Sequence, residues 1–387
     1  MKALQRSLLA LIISIVLLDL FLQFIDMSVF ISLFPADMPH YTLYIWGFPL
    51  AFIIGCFIFG YFSYYNINIK WVCIALFMIG ICYGVYTVSK SSQTLIYIRL
   101  LHGVLLSFVL ITSTTIMDTL VKLKEIRKVI CQFGVFFTVP AIILTSFSGR
   151  LSNLLSTYWS FYTLMFSFIF AATLIILLIN YFHFSYKKEQ QPSIIQFLYI
   201  MKDPGVLYGF LTVTISSFTL GVLNNQLLIN NQLRNFPSPM FLLNIFLLSL
   251  TIAFITKLST ISDYVGIYKG SLAGLLLIAF ALSSFPLVEN STLAFLPIII
   301  LGISYGIIIP TTYGGLREIN NSFSGIIYGI FYGLNLIGSL TGYFISNTSN
   351  NYFLSPLLFT CLLIISCCIP FIRKIHYISS DYFENLY

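Results

Sequence analysis

The sequence predicts an all-α integral membrane protein of twelve transmembrane helices, arranged as two pseudo-symmetric six-helix bundles. Three observations predict it. Of 387 residues, 59% are hydrophobic and only 8% charged, too few charges to cover a soluble protein of this length. The apolar residues fall in successive runs of about 20, the length that crosses a hydrocarbon core about 30 Å thick. The basic residues gather in alternate connections between those runs.

Taken in order, the first-half runs cover 8–34, 42–63, 71–89, 93–119, 128–149 and 158–182. The second-half runs cover 205–229, 239–257, 268–288, 292–314, 323–345 and 353–372. The opening "MKALQRSLLALIISIVLL" has the basic start and apolar core of a signal peptide. No small-residue cleavage site follows and the apolar run continues past Asp19, so it reads as an uncleaved first helix.

An even number of spans puts both termini on one side, and Lys and Arg decide which. One face collects Lys2, Arg6, Lys70, Lys122, Lys124, Arg127, Lys128, Lys187, Lys188, Lys202, Lys257, Lys269, Arg317, Arg373 and Lys374. The other holds Lys90, Arg150 and Arg234. Both termini are therefore expected in the cytoplasm of a cell in whose plasma membrane the chain sits. The net charge of +7 is a topology signal, and nucleic acid is excluded as a partner.

The longest connection, 183–203, divides the chain into an N-terminal bundle (1–182) and a C-terminal bundle with a short tail (204–387). Its "SIIQFLYIMK" portion has an apolar face and is expected to lie along the inner membrane surface. The seven cysteines form no C-x-x-C pair and have no histidine cluster beside them, so buried free thiols are expected, with no metal and no cofactor.

Short motifs connect this architecture to a family. "LSTISDYVGIYKG" (Leu258 to Gly270) resembles the loop signature of the major facilitator superfamily: Ser259 takes the small position, Ile261 the apolar one, and Asp263 and Gly266 match directly. The turn "GYFSYYNINIK" keeps Gly60 but has Tyr64 in place of the acid, and it lies about half a chain earlier, as a repeated half would place it. "LIYIRLLHG" resembles the fourth-helix motif R-x-x-Q-G through Arg99 and Gly103, with His102 in place of Gln. "DMSVFISLFP" resembles the first-helix motif of proton-coupled drug efflux branches through Asp26, Ser28 and Pro35. The fifth-helix glycine–proline motif of antiporters survives only at Pro140 and Gly134, with Val139 where the second glycine stands. The resemblance implies the major facilitator fold and alternating-access transport.

The polar residues inside the runs are the candidate site. Asp19, Gln23 and Asp26 form one stripe on the first helix, because positions four and seven apart nearly superimpose. An acid near a helix centre costs roughly 2.5–3.5 kcal/mol of insertion free energy, so the stripe is expected to face protein or water. Arg99 and His102, three apart, share a face of the fourth helix. By depth, Asp26 is expected to meet Arg99 as an ionised structural or gating pair. Asp19, expected away from the arginine and level with His102, is the expected proton-exchanging carboxylate, since desolvation favours the neutral form of an acid. These four are the proton-coupling candidates.

Gln23, Asn224, Asn225, Gln226 and Asn335 are the neutral substrate-binding candidates. Gly60, Asp118, Asp263 and Gly266 are gating candidates at cytoplasmic helix ends. Gly325, Gly329, Gly333, Gly338 and Gly342 recur every four or five residues along the eleventh helix, a spacing that lets helices approach closely.

The expected function is proton-coupled export of a small organic molecule, a drug or a metabolite such as a siderophore, by a monomer in the bilayer. Proton-coupled uptake is the alternative that the eroded fifth-helix motif leaves open. An enzyme is disfavoured, because the chain has no GxGD, H-E-x-x-H or Walker A motif and no loop large enough for a catalytic site. A transport-dead sensor is the remaining alternative.

Overall fold

The computed structural model describes residues 2–25, 41–63, 69–89, 91–122, 125–151, 159–179, 202–229, 239–256, 267–288, 295–319 and 324–348. These hold eleven helices: α1 (Lys2–Ile25), α2 (Tyr41–Phe62), α3 (Ile69–Val88), α4 (Ser92–Leu120), α5 (Ile126–Leu151), α6 (Trp159–Ile179), α7 (Pro204–Ile229), α8 (Pro239–Ile255), α9 (Ile267–Val288), α10 (Phe295–Ile319) and α11 (Ser324–Thr348). Eight of them are long and apolar enough to cross a membrane, which makes the chain a multi-pass membrane protein. The expected twelfth span, 353–372, and the expected surface helix in 183–203 lie outside the described residues.

Most helix ends fall within three residues of the apolar runs, and the last part of the first run, 26–34, lies outside the described residues. Two other ends differ more. Helix α1 begins at Lys2, not at residue 8, because its polar first turns are used. Arg6 donates Nε–H (3.0 Å) and Nη2–H (2.6 Å) to the carbonyl of Leu120, the last residue of α4, and pairs with Glu125 at 3.4 Å. A guanidinium there satisfies an orphan carbonyl and opposes the negative end of the helix dipole. Helix α10 runs to Ile319, past the expected 314, carrying the buried Arg317 in its last turn.

The chain forms two compact units, one of Met1–Gln191 with Ser322–Leu336, the other of Pro192–Asn321 with Ile337–Tyr387. In the first, α4 is central: it packs on α2, α3 and α1, while α3 packs on α6 and α1 on α5. In the second, α10 is central and packs on α9, α8 and α7. The core is aliphatic and aromatic, with Leu9, Ile12, Phe48, Phe52, Leu106 and Phe168 fully buried in the first unit. Cys56, Cys73, Cys82 and Cys131 are buried free thiols.

Glycine decides how closely α4 approaches α2. A Cβ on Gly103 would lie 2.5 Å from the Phe48 carbonyl, 3.0 Å from the Phe52 nitrogen and 3.1 Å from the Ala51 Cβ. Only a bare backbone fits there. That approach places the residues just before Gly103, Arg99 and His102, against the aromatic face of α2.

Candidate functional site

Three helices of the first unit bring polar side chains to one place, and a fourth, α2, backs them with aromatic rings. Asp19 and Gln23 stack one turn apart on α1, and Gln23 Nε2 donates to Asp19 Oδ1 at 3.1 Å. From α3, Tyr83 Oη donates to the same oxygen at 2.5 Å and lies 3.1 Å from Gln23 Nε2. From α4, His102 Nε2 lies 2.9 Å from Asp19 Oδ2. The other imidazole nitrogen, Nδ1, is 3.2 Å from Tyr86 Oη. Arg99, one turn before His102, donates Nη1–H to Gln23 Oε1.

The direction of the Gln23 amide follows from its neighbours. A guanidinium has only donors, so it must meet the amide oxygen, and that turns the NH2 group toward the carboxylate. Gln23 thus joins a cation to an anion without letting them touch.

Both charges are sealed from solvent. Asp19 and His102 are 0% exposed, Arg99 1% and Gln23 4%. An uncompensated ion at such a site is costly, so each must be paired and hydrogen-bonded. The carboxylate has Tyr83, Gln23 and His102. The guanidinium has Gln23, the Tyr44 carbonyl 3.5 Å from Nε, and the faces of Tyr44 and Phe48, whose centroids lie 5.4 and 5.2 Å from Cζ. Phe48 and Tyr83 also flank the imidazole, each with its centroid 5.1 Å away. Behind them, Phe161 and Phe168 of α6 close the cluster around Tyr83.

Of the proton-coupling candidates, the structure brings Asp19, Arg99 and His102 into one network, while Asp26 lies outside the described residues. The expected separation of Asp19 from the arginine is corrected: they are two hydrogen bonds apart, through Gln23, because α4 turns both basic residues toward the same stripe of α1. Gln23, expected to touch substrate, has its amide engaged at both ends in this conformation. Asn335 is half-buried on α11. Asn224, Asn225 and Gln226 lie in α7, their side chains outside the described set, as are Asp263 and Gly266. Asp118 is buried at the end of α4. Gly60 makes a close helix crossing inside the first unit, where an added Cβ would sit 3.0 Å from the Gly325 carbonyl and 3.0 Å from the Gly329 Cα.

Sequence reasoning missed Tyr83, Tyr86, Tyr44 and Phe48. With 25 Tyr and 38 Phe in the chain, no signal marks which rings turn inward. The i, i+3 spacing of Tyr83 and Tyr86 is the one available hint, and it repeats the spacing of Arg99 and His102 on the facing helix.

In the second unit a buried neutral contact joins α10 to α7. Tyr305 of α10 meets Thr219 Oγ1 at 2.5 Å and donates to the Ser216 carbonyl of α7. A cavity of about 430 Å³ in the first unit is apolar and lies between α3 and α6, lined by Gly80, Gly84, Val85 and Met165 among others. No member of the buried network lines it.

The helices define a multi-pass membrane protein, with a buried charged network among four helices of its first unit. No protein-family model matches the chain, and no curated protein matches it by sequence. Among solved structures it is similar to one described as "a bacterial homologue of iron transporter ferroportin in outward-facing state". That likeness has a TM-score of 0.71 at 12% identity and covers 97% of this chain and 100% of the other. At such identity it establishes the fold.

Proposed function

We propose that this chain is a secondary active transporter that couples proton movement to export of a small organic molecule by alternating access. The observation that carries the proposal is the Asp19–His102 pair, 2.9 Å apart and 0% exposed inside a membrane-spanning bundle. Ionisable groups within membrane-spanning segments are costly even when paired, and where they are kept they mark ion, proton or substrate paths. Imidazole is the side chain whose protonation most readily changes near neutral pH. Arg99, held apart from Asp19 by Gln23, is the fixed cation against which that change is felt.

Export is favoured by the resemblance of the first helix to efflux branches, and uptake by the eroded fifth-helix motif. Twelve spans in two six-helix bundles, cytoplasmic termini, a plasma-membrane location and a monomer complete the reading. No enzymatic chemistry is assigned.

Two experiments test it. Metabolite profiling inside and outside cells, with and without the gene, identifies the cargo as the compound that shifts between compartments. Purified protein in vesicles loaded with that compound should then move it when a pH gradient is imposed and stop when a protonophore collapses the gradient. Gradient-independent flux would overturn proton coupling.

A second reading takes a divalent metal ion as cargo. A carboxylate oxygen beside an imidazole nitrogen is a donor pair for first-row metals, and one similar solved structure is of a bacterial homologue of the iron transporter ferroportin. Vesicles loaded with a metal-quenched dye separate the readings: quenching by external Fe²⁺ or Mn²⁺ supports the metal, and an unchanged signal with organic flux supports the first proposal.

A further inference from the structure

We propose that the coupling proton is loaded on His102 Nδ1 by way of the Tyr86 hydroxyl, and that Asp19 is a fixed anion that does not itself exchange it. This rests on the reading of Asp19–His102 as the proton site, and it specifies which atom of that site opens to the outside.

The argument is a count of hydrogen positions. Asp19 Oδ1 already accepts from Tyr83 Oη at 2.5 Å and from Gln23 Nε2 at 3.1 Å, which fills its in-plane lone pairs. Oδ2 faces His102 Nε2 at 2.9 Å. Between those two atoms one hydrogen fits. With none, two lone pairs would oppose each other; with two, the hydrogens would collide. That position therefore holds one hydrogen whether the pair is loaded or not, and the two groups bind protons as a unit.

An additional proton has two basic positions to choose from, the second lone pair of Asp19 Oδ2 and His102 Nδ1. An imidazole nitrogen is the stronger base of the two, and the atom facing it is Tyr86 Oη at 3.2 Å. In the unloaded state the Tyr86 hydroxyl donates to the bare Nδ1. In the loaded state Nδ1–H donates to Tyr86 Oη. Changing state requires the phenol to exchange donor for acceptor, so Tyr86 is a positioning residue and the relay.

The step balances. A water-borne proton bonds to a lone pair of Tyr86 Oη while the phenol's own O–H breaks and its hydrogen forms the Nδ1–H bond. Tyr86 ends neutral, imidazole becomes imidazolium, and the cluster gains one positive charge. Tyr86 is 1% exposed, so loading waits on opening of the bundle.

Among the described residues, these groups face the imidazole and its partners from the helices packed there. Helix α1 contributes Asp19; α2 contributes Tyr44 and the ring of Phe48; α3 contributes Cys82, Tyr83 and Tyr86; α4 itself contributes Arg99. From α6 come the non-titrating rings of Phe161 and Phe168, and α5 places Phe137 against Phe21. Arg99 is a permanent cation, and Asp19 is hydrogen-bonded on both oxygens and is the weaker base, so the imidazole nitrogen beside Tyr86 is the exchanging position.

The test is imidazole ¹⁵N and carboxyl ¹³C NMR on the full chain in lipid nanodiscs, between about pH 5 and pH 9. There are four histidines, so the His102 signals are assigned by loss in His102→Gln, and those of Asp19 by loss in Asp19→Asn. Expected is an Nε2–H imidazole at high pH that gains hydrogen at Nδ1 as pH falls, with the Asp19 carboxyl signal nearly still. Tyr86→Phe keeps the ring contacts with Tyr83 and Phe161 but removes the relay. Exchange between the two states should slow about 100-fold or more, replacing one averaged ¹⁵N line by two.

Unchanged exchange in Tyr86→Phe would overturn the relay. An Nδ1 that stays protonated at every pH while the Asp19 carboxyl titrates would overturn the inference and leave the pair as a proton site. Absence of titration at both groups would overturn the inference and the proton-coupled reading together.

Discussion

Arg99 and Asp19 are joined through a single neutral amide: Arg99 Nη1 donates to Gln23 Oε1, and Gln23 Nε2 donates to Asp19 Oδ1. The amide lets two opposite charges share one buried site without forming a direct ion pair. Its loss would leave a guanidinium and a carboxylate each short of a partner.

Gln23→Leu should therefore destabilise the protein by about 2–4 kcal/mol, the scale of breaking hydrogen bonds to buried charges. Thermal unfolding in detergent checks this. A loss under about 0.5 kcal/mol would mean the bridge carries no structural weight.

Asp19→Asn keeps the shape of the side chain and removes its charge. The pH dependence of cargo distribution between cells and medium should flatten, with the protein still folded. Unchanged pH dependence would remove Asp19 from the coupling machinery.

At the other end of α1, Arg6 holds the Leu120 carbonyl with two N–H groups. Lysine cannot reproduce that fork, so Arg6→Lys should cost about 1 kcal/mol. Glu125→Ala should cost between about 0 and 1 kcal/mol, since the pair is partly exposed at 33% and 45%. Equal losses in the two variants would contradict the carbonyl contact as the stronger link.

Two glycines of the first unit predict opposite signs. Gly103→Ala forces a methyl into the α2 backbone and should cost about 1–3 kcal/mol. Gly84→Ala meets only Met165 Sδ at 3.6 Å, ordinary contact. It should be neutral or stabilise by up to about 1 kcal/mol through helix propensity. Unfolding curves of the two side by side decide it.

Local residue patterns carried much of this protein. Runs of apolar residues set the helices, because a bilayer admits backbone only where its hydrogen bonds close within the segment. The spacing of Asp19 with Gln23, and of Arg99 with His102, already put each pair on one helix face, since helical geometry alone decides that. Lys2 and Arg6 read as a polar flank, and only the neighbouring Leu120 carbonyl makes that flank the first turns of α1.

What tertiary structure alone decided is which faces meet. Apart from their i, i+3 spacing, nothing in the sequence sets Tyr83 and Tyr86 apart from the chain's other tyrosines, yet one holds Asp19 and the other His102. Their selection rests on how α3 is rotated against α1 and α4, and that rotation is a property of packed helices. Likewise the amide of Gln23 has no preferred direction in an isolated helix. It acquires one only when Arg99, a pure donor, arrives from α4 and the carboxylate of Asp19 waits on the other side.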